Sequence, residues 1–108
     1  MQVKEFAEKC SLTVLSLPNG EREIKGGYVG DLLSWVMGRA KADQAWITIM
    51  SNQNIIAVAA LIDVACIILA EDVQLEENII ENAKAKGVNI LATKLPAFEA
   101  AKLLIESE

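Results

Sequence analysis

The chain has 108 residues, enough for one compact domain and too few for two. Hydrophobic residues make up 53% of it, so a core can form without disulfide or metal staples, and no low-complexity or disordered tract interrupts the chain. Ten Lys and Arg against fifteen Asp and Glu give a net charge of −5, which argues against nucleic acid and anionic membrane as partners.

There is no histidine. That removes His-based general bases, Ser-His triads and most zinc sites. Cys10 and Cys66 are far apart and lack CxxC or metal spacing, so both read as free thiols, Cys66 as a small buried hydrophobe in "VACIILA". No metal and no cofactor is expected. "MQVKEFAEKC" is amphipathic rather than apolar, and the run "IIAVAALIDVACIILA" is broken by Asp63 and short for a membrane span. A cytoplasmic protein without a signal peptide is the expectation.

In chain order, "VKEFAEKC" places Val3, Phe6, Ala7 and Cys10 on one helical stripe. "LTVLSL" reads as a strand ended by "PNG", a hairpin-like turn signal. "EREIKG" reads as a second short strand or extended arm. A helix is expected from Val29 to Ala40, entered through Gly26, Gly27 and Gly30, with Asp31 near its start. "AWITIM" is β-branched and apolar on both faces, as in a buried central strand. "NIIAVAALIDVA" reads as a buried helix with Asn52 or Asn54 as N-cap. "CIILA" is another buried strand.

"LEENIIENAKAKG" opens with acids, closes with lysines and ends at Gly87, the pattern of a capped helix with Ile79, Ile80 and Ala83 facing the core. "VNILAT" is a strand. "LPAFEAAKLLIESE" is a final helix with Phe98, Ala101, Leu104 and Ile105 as its buried stripe. From residue 45 onward strand and helix alternate, and the strands are apolar on both faces. The expected architecture is a three-layer α/β/α domain with a mostly parallel sheet, a single domain over 1–108.

Ligands of open parallel sheets bind beyond the carboxyl ends of the strands. Four loops are expected there: "GGYVGD", "SNQN", "AEDV" and "ATKL". The first offers backbone N–H groups to an anion, but it is neither a P-loop nor a GxGxxG fingerprint, and Asp31 would repel a phosphate. A tight turn with an acid behind it is the simpler account, with a ligand or interface role as the alternative. In the second, Asn52 and Asn54 either bind a small polar ligand or only cap the next helix. Glu71, Asp72, Thr93 and Lys94 lack the converging carboxylates of a phosphoacceptor site and read as solvated loop charges. The candidate ligand-binding residues are Gly26, Gly27, Asp31, Asn52 and Asn54, and no catalytic residue is assigned.

"DLLSWVM" is apolar all round a helix that should have one wet face. Either its tryptophan is fully packed, or a partner covers it, most simply a second copy. The candidate interface residues are Tyr28, Leu32, Trp35 and Val36.

The stretch from "GGYVGDLLSWVMG" through "AVAALIDVACIIL" to "GVNILATKLPAFEAAKLL" resembles the DRTGG domain family, similar in fold to the N-terminal domain of HPr kinase/phosphorylase. The resemblance covers roughly residues 3–105. Gly26 and Gly27 match the glycines of the family's signature; Glu23, Ile24 and Lys25 replace its acid-Arg-Thr part, with Glu21 and Arg22 just upstream. The resemblance implies an accessory or regulatory domain. Relatives accompany CBS domains in pyrophosphatases and occur in phosphate acetyltransferases and HPr kinase/phosphorylase, where the domain is not the catalytic part and commonly mediates dimer contacts. The P-loop of the kinase is missing here. A non-catalytic regulatory module acting as a homodimer is therefore the expected function; another protein, or a nucleotide or metabolite sensed at the strand-end loops, is the alternative partner.

Overall fold

The computed structural model describes residues 1–108. Helix α1 (Val3–Lys9) is followed by strand β1 (Thr13–Ser16), then β2 (Gly27–Val29) and α2 (Leu33–Arg39). The pairs β3 (Ala45–Thr48) and α3 (Asn54–Ile62), β4 (Cys66–Leu69) and α4 (Glu77–Ala85), and β5 (Ile90–Ala92) and α5 (Ala97–Ser107) complete the chain. The strands form one sheet in the order β1-β5-β4-β3-β2. All neighbours are parallel except β1, which runs antiparallel to β5 at one edge.

The three-layer α/β/α reading holds, and alternation along the strands explains it. Trp46, Ile67, Leu69 and Ile90 point to one face, where they meet α2, α3 and α4 through Val36, Ile55, Ile56, Ile79 and Ala83. Ala45, Ile47, Cys66, Ile68 and Leu91 point to the other face and pack against α1 and α5. Each of β3 and β4 is buried along its whole length. A strand covered on both faces has no polar side, which is why these runs read as continuous apolar blocks.

The helix ends follow local chemistry. The Gln2 N–H donates to Glu5 Oε1 at the start of α1. At the end of α4, Gly87 takes φ +74° and the Val88 N–H reaches back to the Ala83 carbonyl at 2.9 Å, closing the helix.

Three expectations are corrected, and one open choice is resolved. The "PNG" turn does not join paired strands: β1 pairs with β5, while β2 lies at the opposite edge of the sheet. The turn is held instead by buried Asn89, whose Nδ2 donates to the Asn19 carbonyl (2.8 Å) and whose Oδ1 accepts from the Asn19 N–H (2.9 Å). Of the two readings of "EREIKG" the extended arm holds; it is bonded along the start of α1, where Gln2 bridges Glu23 and the Val3 N–H donates to the Arg22 carbonyl at 2.9 Å. The helix expected from Val29 starts at Leu33, because Tyr28 and Val29 are paired with β3. On α5 the buried residues are Ala100 and Leu104; Phe98 and Ile105 are 77% and 70% exposed. Periodicity marked an apolar stripe there but not which part of it meets the sheet.

Candidate contact face and strand-end loops

At its amino end the sheet is organised by Arg22. Its Nη1 donates to Asp63 Oδ1 at 2.7 Å and its Nη2 to Asp43 Oδ1 at 2.9 Å, and Nη2 also donates to the Asp63 carbonyl. Asp43 and Asp63 stand just before β3 and β4 and both adopt left-handed backbone, φ +68° and +69°. The hydrogen bond to Asp63 chiefly, and that to Asp43, hold the guanidinium above its ordinary pKa against the cost of burial. Arg22 is thus tied into the fold and its charge is spent on two turns.

Gly26 and Gly27 belong to this same end. Gly27 opens β2, in register with Ala45 at the start of β3, and the Gly26 carbonyl accepts the Ala45 N–H at 3.0 Å. Gly26 has φ +87°, a region L-residues avoid. A Cβ on Gly27 would stand 2.9 Å from Leu104 Cδ2, so its absence lets α5 lie close on the edge strand. Both glycines serve the bend and the packing.

Asp31, Asn52 and Asn54 lie at the other end, a strand length of about 10 Å away. The loop expected to carry all the "GGYVGD" residues to the carboxyl edge therefore does not do so: the glycines precede β2 and only Gly30 and Asp31 follow it. Asp31 does not open the helix either. Its Oδ1 accepts the Thr48 hydroxyl at 2.7 Å and the Ile49 N–H at 2.9 Å, tying the loop after β2 to the end of β3. Gln53 rather than either asparagine occupies the N-cap position of α3. Asn52 Oδ1 accepts the Asn54 N–H at 2.9 Å, and Asn54 is the first helical residue. Asn54 borders a groove of about 740 Å³ between α3 and α4 that neither Asp31 nor Asn52 lines.

The connections of β4 and β5 leave to opposite faces, the place where an α/β sheet usually opens a crevice. Here the two loops bond to each other: the Glu71 N–H donates to the Leu95 carbonyl (2.8 Å) and the Asp72 N–H to the Thr93 carbonyl (3.0 Å). Glu71 and Asp72 both take φ +60° to do so. Backbone fills the crevice. A cavity of about 310 Å³ remains beside it, bordered by Thr13, Asp72, Gln74, Thr93 and Lys94.

Apolar surface gathers instead around β2. This edge strand pairs only with β3. Val29 is 51% exposed, Leu32 56% and Trp35 53%. Arg39 covers one face of the Trp35 ring at 3.6 Å from its centroid. Trp35 is thus not packed into the core, which settles that alternative. Val36, expected at an interface, is completely buried against the sheet and is removed from that set. Tyr28 is half-buried, packed against the same cluster. The stripe that sequence reasoning assigned to the core, Phe98 and Ile105 on α5, adds to the exposed apolar surface. Its signal was the sheer number of apolar residues on a helix with only one sheet to face.

Against known proteins, the model of a family described as DRTGG domain matches residues 29–107, a span that begins after the glycine pair. Among solved structures the chain is similar to the CBS and DRTGG domains of the regulatory region of Clostridium perfringens pyrophosphatase, complexed with its activator diadenosine tetraphosphate. The TM-score is 0.79 at 16% identity, over 98% of this chain and 46% of that one. The likeness is one of fold, and the chain spans about half of the neighbour's length. No curated protein sequence matches. No helix is long and apolar enough to cross a membrane.

Proposed function

Taking as premise that the chain belongs to the DRTGG domain family, we propose that it is a single-domain, non-catalytic regulatory module of the cytoplasm that acts by contact, as a homodimer. The observation that carries this reading is the half-exposed Leu32 and Trp35 beside the free β2 edge. Large apolar side chains grouped at an unpaired sheet edge are a liability for a monomer and an asset for an interface. The non-catalytic part rests on chemistry: there is no histidine, and the acids and Arg22 of the amino end are engaged in turns. Size-exclusion chromatography with light scattering at several concentrations tests the reading. A dimer is expected, and a strict monomer at high micromolar concentration would sink it.

A second reading, a small-ligand sensor, is favoured by the pyrophosphatase region having been captured with diadenosine tetraphosphate. In this chain the polar groups of Asp31, Asn52 and Asn54 at the strand ends are its candidate contacts; Gly26 and Gly27 are too distant to join them. A ligand of the native state raises the melting temperature by mass action. Thermal shift with diadenosine tetraphosphate and with adenine and guanine mononucleotides tests it. Absence of any shift at millimolar ligand would count against it.

A further inference from the structure

We infer that two copies of this chain join through β2, edge to edge and antiparallel about Tyr28, so that one sheet runs through both. The inference rests on the homodimer reading above and specifies how that dimer is built.

The backbone supplies the first argument. In the parallel ladder with β3, the Gly30 N–H donates to the Ile47 carbonyl and the Gly26 carbonyl accepts from the Ala45 N–H. Alternation then turns the N–H and C=O of Gly27 and Val29 outward, to the free edge. An antiparallel pair centred on Tyr28 sets Gly27 of each copy opposite Val29 of the other and satisfies all these groups. The strand itself carries no charge, no proline and no bulge, the devices that usually protect an edge.

Charge gives the second. Lys25 lies three residues before Tyr28 and Asp31 three after it. A two-fold axis through Tyr28 brings the lysine of one copy beside the aspartate of the other, twice. Lys25 makes no salt bridge within the chain, while Asp31 uses only Oδ1 in its own contacts.

Helix spacing gives the third. Helix α5 packs on β2 and β3, with Leu104 over Gly27. It therefore lies about one strand spacing, ~4.8 Å, from the axis. The two α5 helices then stand about 10 Å apart, at the upper end of the distance at which helices pack. Ser107 of α5 meets Cys10 at the end of α1, and the side of α5 turned away from α1 carries Phe98, Ala101 and Ile105, two of them more than two-thirds exposed. With the helices antiparallel, Phe98 of one copy meets Ile105 of the other and the small Ala101 sits near the axis. On the opposite face the same axis brings the two Trp35 side chains toward one another.

Two variants test this, each exposed in the isolated chain and read by light scattering and circular dichroism. Val29→Pro removes an N–H that faces away from β3, and Phe98→Glu puts a charge on the α5 stripe. The expectation is a folded monomer for both, with the dissociation constant raised at least tenfold. A wild-type monomer overturns both the homodimer reading and this one. A wild-type dimer that survives both substitutions with unchanged affinity, yet is lost in Trp35→Glu, overturns edge pairing and leaves the homodimer reading standing. Should Val29→Pro fail to fold, Phe98→Glu decides alone.

Discussion

Asp31 Oδ1 accepts the Thr48 hydroxyl at 2.7 Å, joining the loop that leaves β2 to the last residue of β3. The Thr48 oxygen in turn accepts the Met50 N–H at 3.2 Å, so one carboxylate steers the exits of two strands. Asp31→Ala removes the acceptor for both the Thr48 hydroxyl and the Ile49 N–H, and a loss of about 1–3 kcal/mol is expected by urea denaturation. Asp31→Asn keeps a carbonyl oxygen in place and should lose much less. Equal losses would mean that the charge, rather than the hydrogen bonds, holds the loop.

Arg22 spans two turns that would otherwise carry left-handed strain alone. Arg22→Leu leaves Asp43 and Asp63 without their shared partner and should cost about 1–2 kcal/mol, since both carboxylates stay open to water. Lys4→Ala is the contrast, since the Lys4–Glu21 pair is long (3.5 Å) and open to solvent. That substitution should change stability by less than about 1 kcal/mol.

Gly27→Ala forces the new methyl against Leu104, 2.9 Å away, and the Ala45 carbonyl, 3.3 Å away. A cost of about 1–3 kcal/mol is expected from overpacking. Leu104→Ala alone opens a cavity, yet the double variant should lose less than the sum of the two, because each substitution relieves the other. Strict additivity would show that α5 does not rest on Gly27. Gly26→Ala acts differently, through its φ of +87°, and no change in α5 rescues it.

Burial pushes the Cys66 thiol up to about 12 from an ordinary value near 9. In the native protein Cys10, half-exposed beside Ser107, should react with a thiol reagent while Cys66 reacts only on unfolding. The sign of the stability effect follows. Below pH 9 the thiol is neutral in both states and costs nothing. Above it the unfolded chain releases the proton and the folded one holds it, so stability falls as pH climbs from 9 toward 12. Cys66→Ala should remove that part of the alkaline slope, measured as denaturation midpoint against pH.

Much of the fold was legible because burial on both faces leaves a plain mark. "AWIT" and "CIIL" are apolar at every position, and only a sheet covered by helices asks for that. The α4 helix was legible because its acids, lysines and Gly87 each answer a local need of a helix end. Strand β2 was not: three residues are too few to show a period, and its first residue is a glycine. Asp31 was misread because an acid ahead of a helix satisfies its dipole in most proteins, whereas here Thr48 and the Ile49 N–H, distant in sequence, compete for the same oxygen. The candidate ligand residues separated for the same reason, since whether a glycine pair opens a strand or follows one depends on the strand's register with its neighbour.

By itself the sequence determined which segments become helix and strand after residue 45, that the sheet is parallel there, and that more apolar surface exists than one small domain can bury. Those are consequences of side-chain periodicity and volume, which every residue carries with it. Tertiary structure alone decided where the surplus comes to lie. Val36 entered the core while Trp35 stayed half outside, and Ala100 and Leu104 met the sheet while Phe98 and Ile105 did not. The close approach of α5 over Gly27 and the pairing of β2 with β3 made those choices, and both are contacts between segments far apart in the chain.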